Sequence, residues 1–324
     1  MAGVQRLVLS AALPILSLCA LAQTPASIPT RSILVNVLDR SGNAVRDLTK
    51  NNFLVKINKQ PVVVLGADYD LAPRRIVVLL DMSGSMGGRR DTNKWRIARE
   101  AVEDLIAQTP ADVPIALLTF SDQVHDVFDF RESRSAISRW FDAGPTQHRY
   151  LKGRTALLDA IVASVRMFEP FRAGDAIYAI TDGGDNSSHV SLDHTKAVLR
   201  ESGVRLFGFL FAERSPVGDV DLLMELAGDS GGFVFGMSGK GAPDGMSGWS
   251  SWDAHYDYNE RTREKIKLST QAFNIQVNGF YTVQVAPPMH RDKARKVSLE
   301  VVDGAGKPRK DVTFTYQRAL VEEK

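Results

Sequence analysis

The segment IVVLLDMSGS, residues 76–85, joins a wholly apolar run to a polar turn that contains glycine. Five consecutive apolar residues without alternation are typical of a parallel strand that is buried on both faces. Asp81, Ser83 and Ser85 then follow at alternate positions, so their side chains can converge on one point. Carboxylate and hydroxyl oxygens are hard ligands that suit Mg²⁺, with Mn²⁺ or Ca²⁺ as further options. The segment therefore predicts a buried strand that ends at a candidate cation site.

Similar apolar runs recur along the chain and alternate with helical patterns. Further buried strands are predicted at 114–120, 124–130, 176–180, 204–211 and 233–235. Apolar residues with a helical period predict helices at 93–108, 132–141, 155–168, 192–201, 220–227 and 259–272. This alternation indicates an α/β protein with a doubly wound, mostly parallel six-stranded sheet that is flanked by helices.

Two later segments offer partners for the candidate cation site. Gly-Arg-Thr-Ala-Leu at 153–157 opens a predicted helix and offers the Thr155 hydroxyl. Ile-Thr-Asp-Gly-Gly at 180–184 ends a predicted strand and offers the Asp182 carboxylate. Ligands of open α/β sheets bind outside the carboxyl ends of the strands, where the strand order reverses. If the strands that precede Asp81 and Asp182 are neighbours at that point, both carboxylates face one crevice.

These three segments together carry a resemblance to a known family. Asp-x-Ser-x-Ser at 81–85, Gly-x-Thr-Ala-Leu at 153–157 and Thr-Asp-Gly at 181–183 resemble the metal-ion-dependent adhesion site of von Willebrand factor type A (VWFA) domains. The three segments have the order and context of that site, and the resemblance covers about residues 75–236. The terminal segments are similar to those of exported acidobacterial VWFA-related domain proteins.

The resemblance implies a VWA/Rossmann-like fold and a role for each residue. Ser83 and Ser85 would bind the metal directly, and Thr155 would do so in an open, high-affinity state. Asp81 and Asp182 would act mainly through water. The remaining coordination position would take an Asp or Glu of a protein partner. This implies a metal-dependent binding protein and not an enzyme.

The ends of the chain carry a predicted export signal and two β segments. Residues 7–22 are uncharged and mostly apolar, and Ala-Leu-Ala at 20–22 fits a signal-peptidase site before Gln23. Cleavage would leave an exported protein, periplasmic or secreted, without a membrane span. An uncleaved anchor, or a lipoprotein attached at Cys19, remains an alternative. The remaining chain divides into a β flank (23–72), a VWFA domain (73–238), a Gly/Ser/aromatic loop (239–258), and a helix with a C-terminal β flank (259–324).

The two β flanks are expected to pack together as a small β-sandwich, because chain termini often lie close together. The two flanks also share a faint internal repeat, and the sandwich is expected whatever the origin of that repeat. Val-Leu-Asp-x-x-Gly at 37–42 is echoed by Val-Val-Asp-x-x-Gly at 301–306. The echo indicates either a duplicated hairpin unit or simply the frequency of Asp-x-x-Gly turns.

Composition and loop residues narrow the choice of partner. The 40 Lys and Arg residues nearly balance the 38 Asp and Glu residues, which gives no support for a nucleic-acid binder. A single cysteine excludes a disulfide framework. His148, Arg149 and Tyr150, just before Thr155, are candidate partner contacts or a solvated loop. Trp249 and Trp252 are candidate hot spots or satellite core on the β flank.

Other chemistries fit the sequence less well. A phosphatase of the haloacid dehalogenase type needs a second carboxylate at position 83, which is Ser, and Gly-x-Ser-x-Gly of a serine hydrolase does not occur. Asp81 and Ser83 could instead cap a helix, with Asp182 as a turn residue. The preferred hypothesis is a metal-dependent module that binds an acidic protein partner. An envelope-assembly scaffold with a structural metal, or a metal-dependent hydrolase, remains the alternative.

Overall fold

The computed structural model describes residues 30–87, 93–143, 151–212, 219–238, 256–286 and 295–320. The predicted signal peptide and the candidate partner contacts His148, Arg149, Tyr150, Trp249 and Trp252 lie outside these residues.

A six-stranded sheet forms the centre of the protein. Its strands are β5 (Ile76–Asp81), β6 (Ile115–Phe120), β7 (Val124–Phe128), β8 (Ala176–Thr181), β9 (Arg205–Ala212) and β10 (Val234–Ser238). They lie in the order β10-β9-β8-β5-β6-β7, and all neighbours are parallel except β6 and β7. The prediction of a doubly wound, mostly parallel six-stranded sheet is confirmed.

The strand order reverses next to β5. The chain runs from β5 to β6 on one side and later returns to β8 on the other side. Because β5 and β8 are parallel neighbours, their carboxyl ends lie side by side at one edge of the sheet. The residues that follow these two strands therefore meet at the switch point, where α/β proteins bind ligands.

Helices cover both faces of the central sheet. They are α1 (Gly84–Gly87), α2 (Lys94–Gln108), α3 (Arg134–Asp142), α4 (Leu157–Arg166), α5 (Leu192–Ser202), α6 (Asp219–Ser230) and α7 (Glu260–Val277). Side chains alternate between the two faces of a strand. Accordingly, Val78 packs on the layer of α2, α3 and α7, while Val77 and Leu79 pack on the layer of α4, α5 and α6. Both faces are buried, which explains the unbroken apolar run at 76–80.

Helix α7 belongs to the packing of the central sheet. By sequence we grouped it with the C-terminal β flank, but its buried residues Ile266, Phe273 and Val277 join the cluster that α2 forms on the sheet. It ends five residues later than the apolar period predicts. Among the described helices, none combines the length and apolarity needed to cross a membrane.

The two ends of the chain form a β-sandwich, as predicted. Its strands are β1 (Arg31–Asp39), β2 (Phe53–Ile57), β3 (Gln60–Val62), β4 (Val64–Asp70), β11 (Phe280–Val285), β12 (Arg295–Val301), β13 (Val312–Tyr316) and β14 (Ala319–Leu320). One antiparallel sheet has the order β13-β1-β11-β4, and the other has the order β14-β12-β2-β3. Both contribute to one apolar core, for example through Val35, Tyr281, Val55 and Leu299.

The two Asp-x-x-Gly turns have the same hydrogen-bond pattern. In the first, the Asp39 carboxylate accepts from the backbone N–H groups of Ser41 and Asn43; in the second, Asp303 accepts from Ala305 and Lys307. The strand pairing repeats too, since Val37 pairs with Phe314 and Val301 pairs with Phe53. The sandwich is therefore built from two equivalent strand–turn–strand units, which favours the duplicated-unit interpretation of the sequence echo.

Candidate metal centre

Asp81 is the last residue of β5, and its side chain is completely buried. One carboxylate oxygen accepts a hydrogen bond from the Ser83 N–H at 2.7 Å. The other accepts from the Thr181 hydroxyl at 2.6 Å, which links the ends of β5 and β8 directly. The Thr181 hydroxyl in turn accepts from the Gly183 N–H at 3.0 Å. These bonds fix the orientation of the Asp81 carboxylate at the switch point.

Ser83 lies on the turn that follows β5, and Ser85 is the second residue of the single-turn helix α1. Their hydroxyl oxygens are 3.0 Å apart, and both side chains are buried. The alternate spacing of residues 81, 83 and 85 therefore does bring the three side chains to one side of the turn. Two hydroxyl oxygens at this separation form a pair of neighbouring hard donors beside the Asp81 carboxylate.

Asp182 follows β8, and its side chain is 9% exposed. Burial raises the pKa of Asp81 from 3.8 to about 7, and repulsion from the Asp182 carboxylate adds to this rise. The hydrogen bonds from Thr181 and Ser83 act in the opposite direction but do not cancel it. Such repulsion between two neighbouring carboxylates is relieved by a cation placed between them.

Thr155 lies on a loop that is fastened to the Asp81 turn and to the β8 loop. The Gly84 N–H donates to the Gly153 carbonyl at 3.2 Å, so the two backbones are in contact. Asn186 holds Thr155 from both directions: its side-chain oxygen accepts from the Thr155 N–H at 3.0 Å, and its N–H donates to the Thr155 carbonyl at 2.9 Å. The threonine is buried beside the two carboxylate-bearing loops.

The sequence analysis missed three residues that organise this site. Asp185 accepts from the Leu158 N–H at 2.8 Å and so satisfies the exposed start of α4. Asn186 positions Thr155, as described above. The third is Lys94, the first residue of α2, whose ammonium lies 3.0 Å from the Asp182 carboxylate. A lysine at a helix start looks like an ordinary solvated residue in sequence, yet this one is completely buried.

The aromatic segment that follows β10 is described only at its end. Tyr256 is buried beneath the site, with its ring 5.2 Å from Phe211 of the central sheet and 6.0 Å from the Lys94 ammonium. Tyr258 packs against the same side of the α/β core. Of the described aromatic residues in this segment, these two pack on the α/β core and not on the β flank.

The donors present fit a hard divalent cation. Two carboxylates and three hydroxyl-bearing side chains come from three loops at the switch point, and the carboxylates repel each other. Within the described ranges, no group of three or more His, Cys, Asp or Glu side chains could hold a metal. A metal here would therefore depend on the hydroxyl oxygens, and a ligand set with few carboxylates suits Mg²⁺, which keeps several waters.

A family model matches part of the α/β core. Residues 76–184 match the family model of the von Willebrand factor type A domain. No curated protein matches the sequence at a significant level.

The solved structures with similar folds share little sequence with this chain. One is a von Willebrand factor type A protein from Catenulispora acidiphila, with 13% identity, coverage of 92% of this chain and 75% of that chain, and a TM-score of 0.45. Another is an aerotolerance-related membrane protein from Bacteroides fragilis, with 15% identity, coverage of 63% and 98%, and a TM-score of 0.43. A third is the BatB protein from Bacteroides thetaiotaomicron, with 18% identity, coverage of 51% and 90%, and a TM-score of 0.39. The family match over residues 76–184 and the order of the six strands give the α/β core of this chain a fold like that of von Willebrand factor type A domains.

Proposed function

We propose that the protein is an exported, adhesion-type binding module that holds an acidic residue of a protein partner through a divalent cation, Mg²⁺ in the first place. The observation that carries the proposal is the meeting of Asp81, Asp182 and the Ser83–Ser85 hydroxyl pair at the switch point of the sheet. The family match over residues 76–184 supports a role in protein interaction. The apolar segment 7–22 supports export, to the periplasm or the exterior.

Each side chain has a distinct part in the proposed site. Ser83, Ser85 and Thr155 would hold the metal through hydroxyl oxygens, and Asp81 and Asp182 would balance its charge. When bound, the metal would supply the positive charge that attracts an Asp or Glu of the partner. The attraction between the metal and the partner carboxylate would be stronger in this buried site than in bulk water, where charges are screened. No covalent step is part of the proposed activity.

Asp81→Asn is expected to weaken Mg²⁺ binding roughly 10- to 100-fold, the range found when groups that support a metal site are removed. The amide keeps the size of the side chain and removes its charge. Isothermal titration of the metal into the purified protein measures the change. Asp112→Asn is the matched control, because this exposed carboxylate lies on the loop before β6, at the opposite end of the parallel strands. Equal Mg²⁺ affinity in Asp81→Asn and wild type would contradict the proposed site.

Partner capture is tested with the same two variants. Immobilised wild-type protein and Asp112→Asn should retain a specific protein from envelope extract in Mg²⁺ and release it in EDTA, whereas Asp81→Asn should retain none. Neutralising an Asp or Glu on that partner should abolish retention as well. If Mg²⁺ raises the melting temperature but the retained amount of partner changes neither with EDTA nor with Asp81→Asn, the metal is structural and the protein is a scaffold.

Asn186→Ala is expected to weaken Mg²⁺ binding about fivefold, the equivalent of one net hydrogen bond of about 1 kcal/mol. The Thr155 N–H loses its acceptor, so the threonine is less firmly held beside the two carboxylates. Ser187→Ala, in the same loop, serves as the control. Metal titration compares the two variants, and an Asn186→Ala protein with wild-type affinity would show that Thr155 needs no such support.

A further inference from the structure

Lys94 brings a positive charge into the candidate metal centre. Its ammonium lies 3.0 Å from an oxygen of the Asp182 carboxylate, and its side chain is completely buried. Lysine is almost never fully buried unless it is paired, because removing an ammonium from water is costly. The two carboxylates of the site are the groups that compensate this cost: Asp182 directly, and Asp81 as its close neighbour.

The position of Lys94 is fixed by the fold. It is the first residue of α2, and its ammonium reaches Asp182 directly after the end of β8. The Tyr256 ring lies 6.0 Å from the ammonium and helps to exclude water from it. The ammonium is therefore held at the carboxylates by packing, in contrast to a surface lysine that could swing away.

The charge balance of the site follows from these contacts. Asp81 and Asp182 supply two negative charges when a metal is held, and Lys94 cancels one of them. A divalent cation then meets one net negative charge where a site without the lysine would offer two. At separations of a few ångströms in a buried site, one such charge changes the affinity for a cation by an order of magnitude or more.

We propose that Lys94 is a specificity-determining residue of the metal centre: a built-in cation that competes for Asp182 and keeps metal affinity low enough for binding to follow the surrounding divalent-ion concentration. This inference rests on the proposed metal-dependent function and concerns its regulation. A site with weakened affinity is filled when divalent ions are plentiful and emptied when they are scarce, so capture of an acidic partner would depend on their supply.

Lys94→Gln and Lys94→Met test this proposal with Mg²⁺ alone as the probe. Both variants remove the charge and are expected to bind Mg²⁺ at least tenfold more tightly than wild type in calorimetric titration. They should also be less stable in EDTA, because Asp182 loses its partner, and should gain more in melting temperature on adding Mg²⁺ than wild type does. Arg99→Gln is the matched control, since it removes a cation from the exposed face of the same helix.

Each result separates this proposal from the proposed function. Wild-type binding with unchanged or weaker binding in both Lys94 variants would overturn the role of Lys94 and leave the metal site standing. No Mg²⁺ binding in wild type or in either folded variant would overturn both. If neither variant folds even in saturating Mg²⁺, Lys94 is a structural residue and the competition model is wrong.

Discussion

Arg205→Ala is expected to lower the free energy of unfolding by about 3–5 kcal/mol, the combined range for orphaned hydrogen-bond acceptors and a buried cavity. Arg205 begins β9 and is completely buried. Its guanidinium donates to the Asn36 side-chain oxygen at 2.9 Å and to the Gln276 carbonyl at 3.0 Å. Asn36 lies in the sandwich, and Gln276 lies in α7, so one side chain joins the two parts of the protein.

The cost of burying the Arg205 charge reduces the expected loss of stability in Arg205→Ala but does not reverse it. Burial and, to a smaller extent, the nearby Arg74 lower the pKa of Arg205 to about 9 despite the opposing charge of Asp175, so the positive charge itself is unfavourable at this position. Alanine removes that charge but leaves the Asn36 oxygen and the Gly174 carbonyl buried without this donor. Each buried acceptor without a partner costs about 1–3 kcal/mol. Arg205→Met, which leaves a smaller cavity, should lose less stability than Arg205→Ala.

Urea unfolding measures the effect, with Arg172→Ala as the control. Arg172 is an exposed arginine on the loop before β8, and its removal should change the free energy of unfolding by less than about 0.5 kcal/mol. Similar losses in the two variants would show that the buried guanidinium does not hold the sandwich to the α/β core. Mg²⁺ affinity should stay at the wild-type value in folded Arg205→Ala, because Arg205 lies outside the candidate site.

The central sheet could be predicted because its physical causes are local. Strands buried on both faces must be apolar at every position, and the run at 76–80 meets that condition. That Asp81 and Asp182 lie close together could be expected, because ligand-binding residues of α/β sheets meet where the strand order reverses. The sandwich was inferred from chain ends and alternation, and the turns at Asp39 and Asp303 share the hydrogen-bond pattern that the sequence echo suggested.

The buried cations could not be predicted, since their surroundings come from distant parts of the chain. Lys94 opens an amphipathic helix and Arg205 lies at the start of an apolar strand, and charged residues at both positions are usually solvated. Their burial depends on Asp182 and Tyr256 in one case and on Asn36 and Gln276 in the other, which are far away in sequence. Helix α7 was likewise grouped with the C-terminal β flank because it precedes that flank in the sequence. Its apolar face instead packs on the central sheet.

In protein stripped of divalent ions by EDTA, the stability contribution of Asp81 is expected to fall by roughly 2 kcal/mol between pH 5 and pH 7. Burial and the Asp182 charge raise the pKa of Asp81 to about 7 in the folded protein, whereas an unfolded chain has the ordinary value of 3.8. The folded state therefore holds a proton that the unfolded state releases. Its contribution is complete below the unfolded pKa and is lost as pH rises through the folded pKa.

The difference between wild type and Asp81→Asn isolates the contribution of the Asp81–Asp182 pair from titrating groups elsewhere in the protein. The variant carries no titratable group at position 81, so its free energy of unfolding should exceed that of wild type increasingly from pH 5 to pH 7, after any constant offset is subtracted. Urea unfolding at pH 5, 6, 7 and 8 provides the measurement, and parallel curves would contradict the burial of two facing carboxylates. Saturating Mg²⁺ should reverse the wild-type trend, because a metal is held by the deprotonated carboxylate and competes with the proton. A reversal in wild type that is absent in Asp81→Asn would place the metal and the proton at the same side chain.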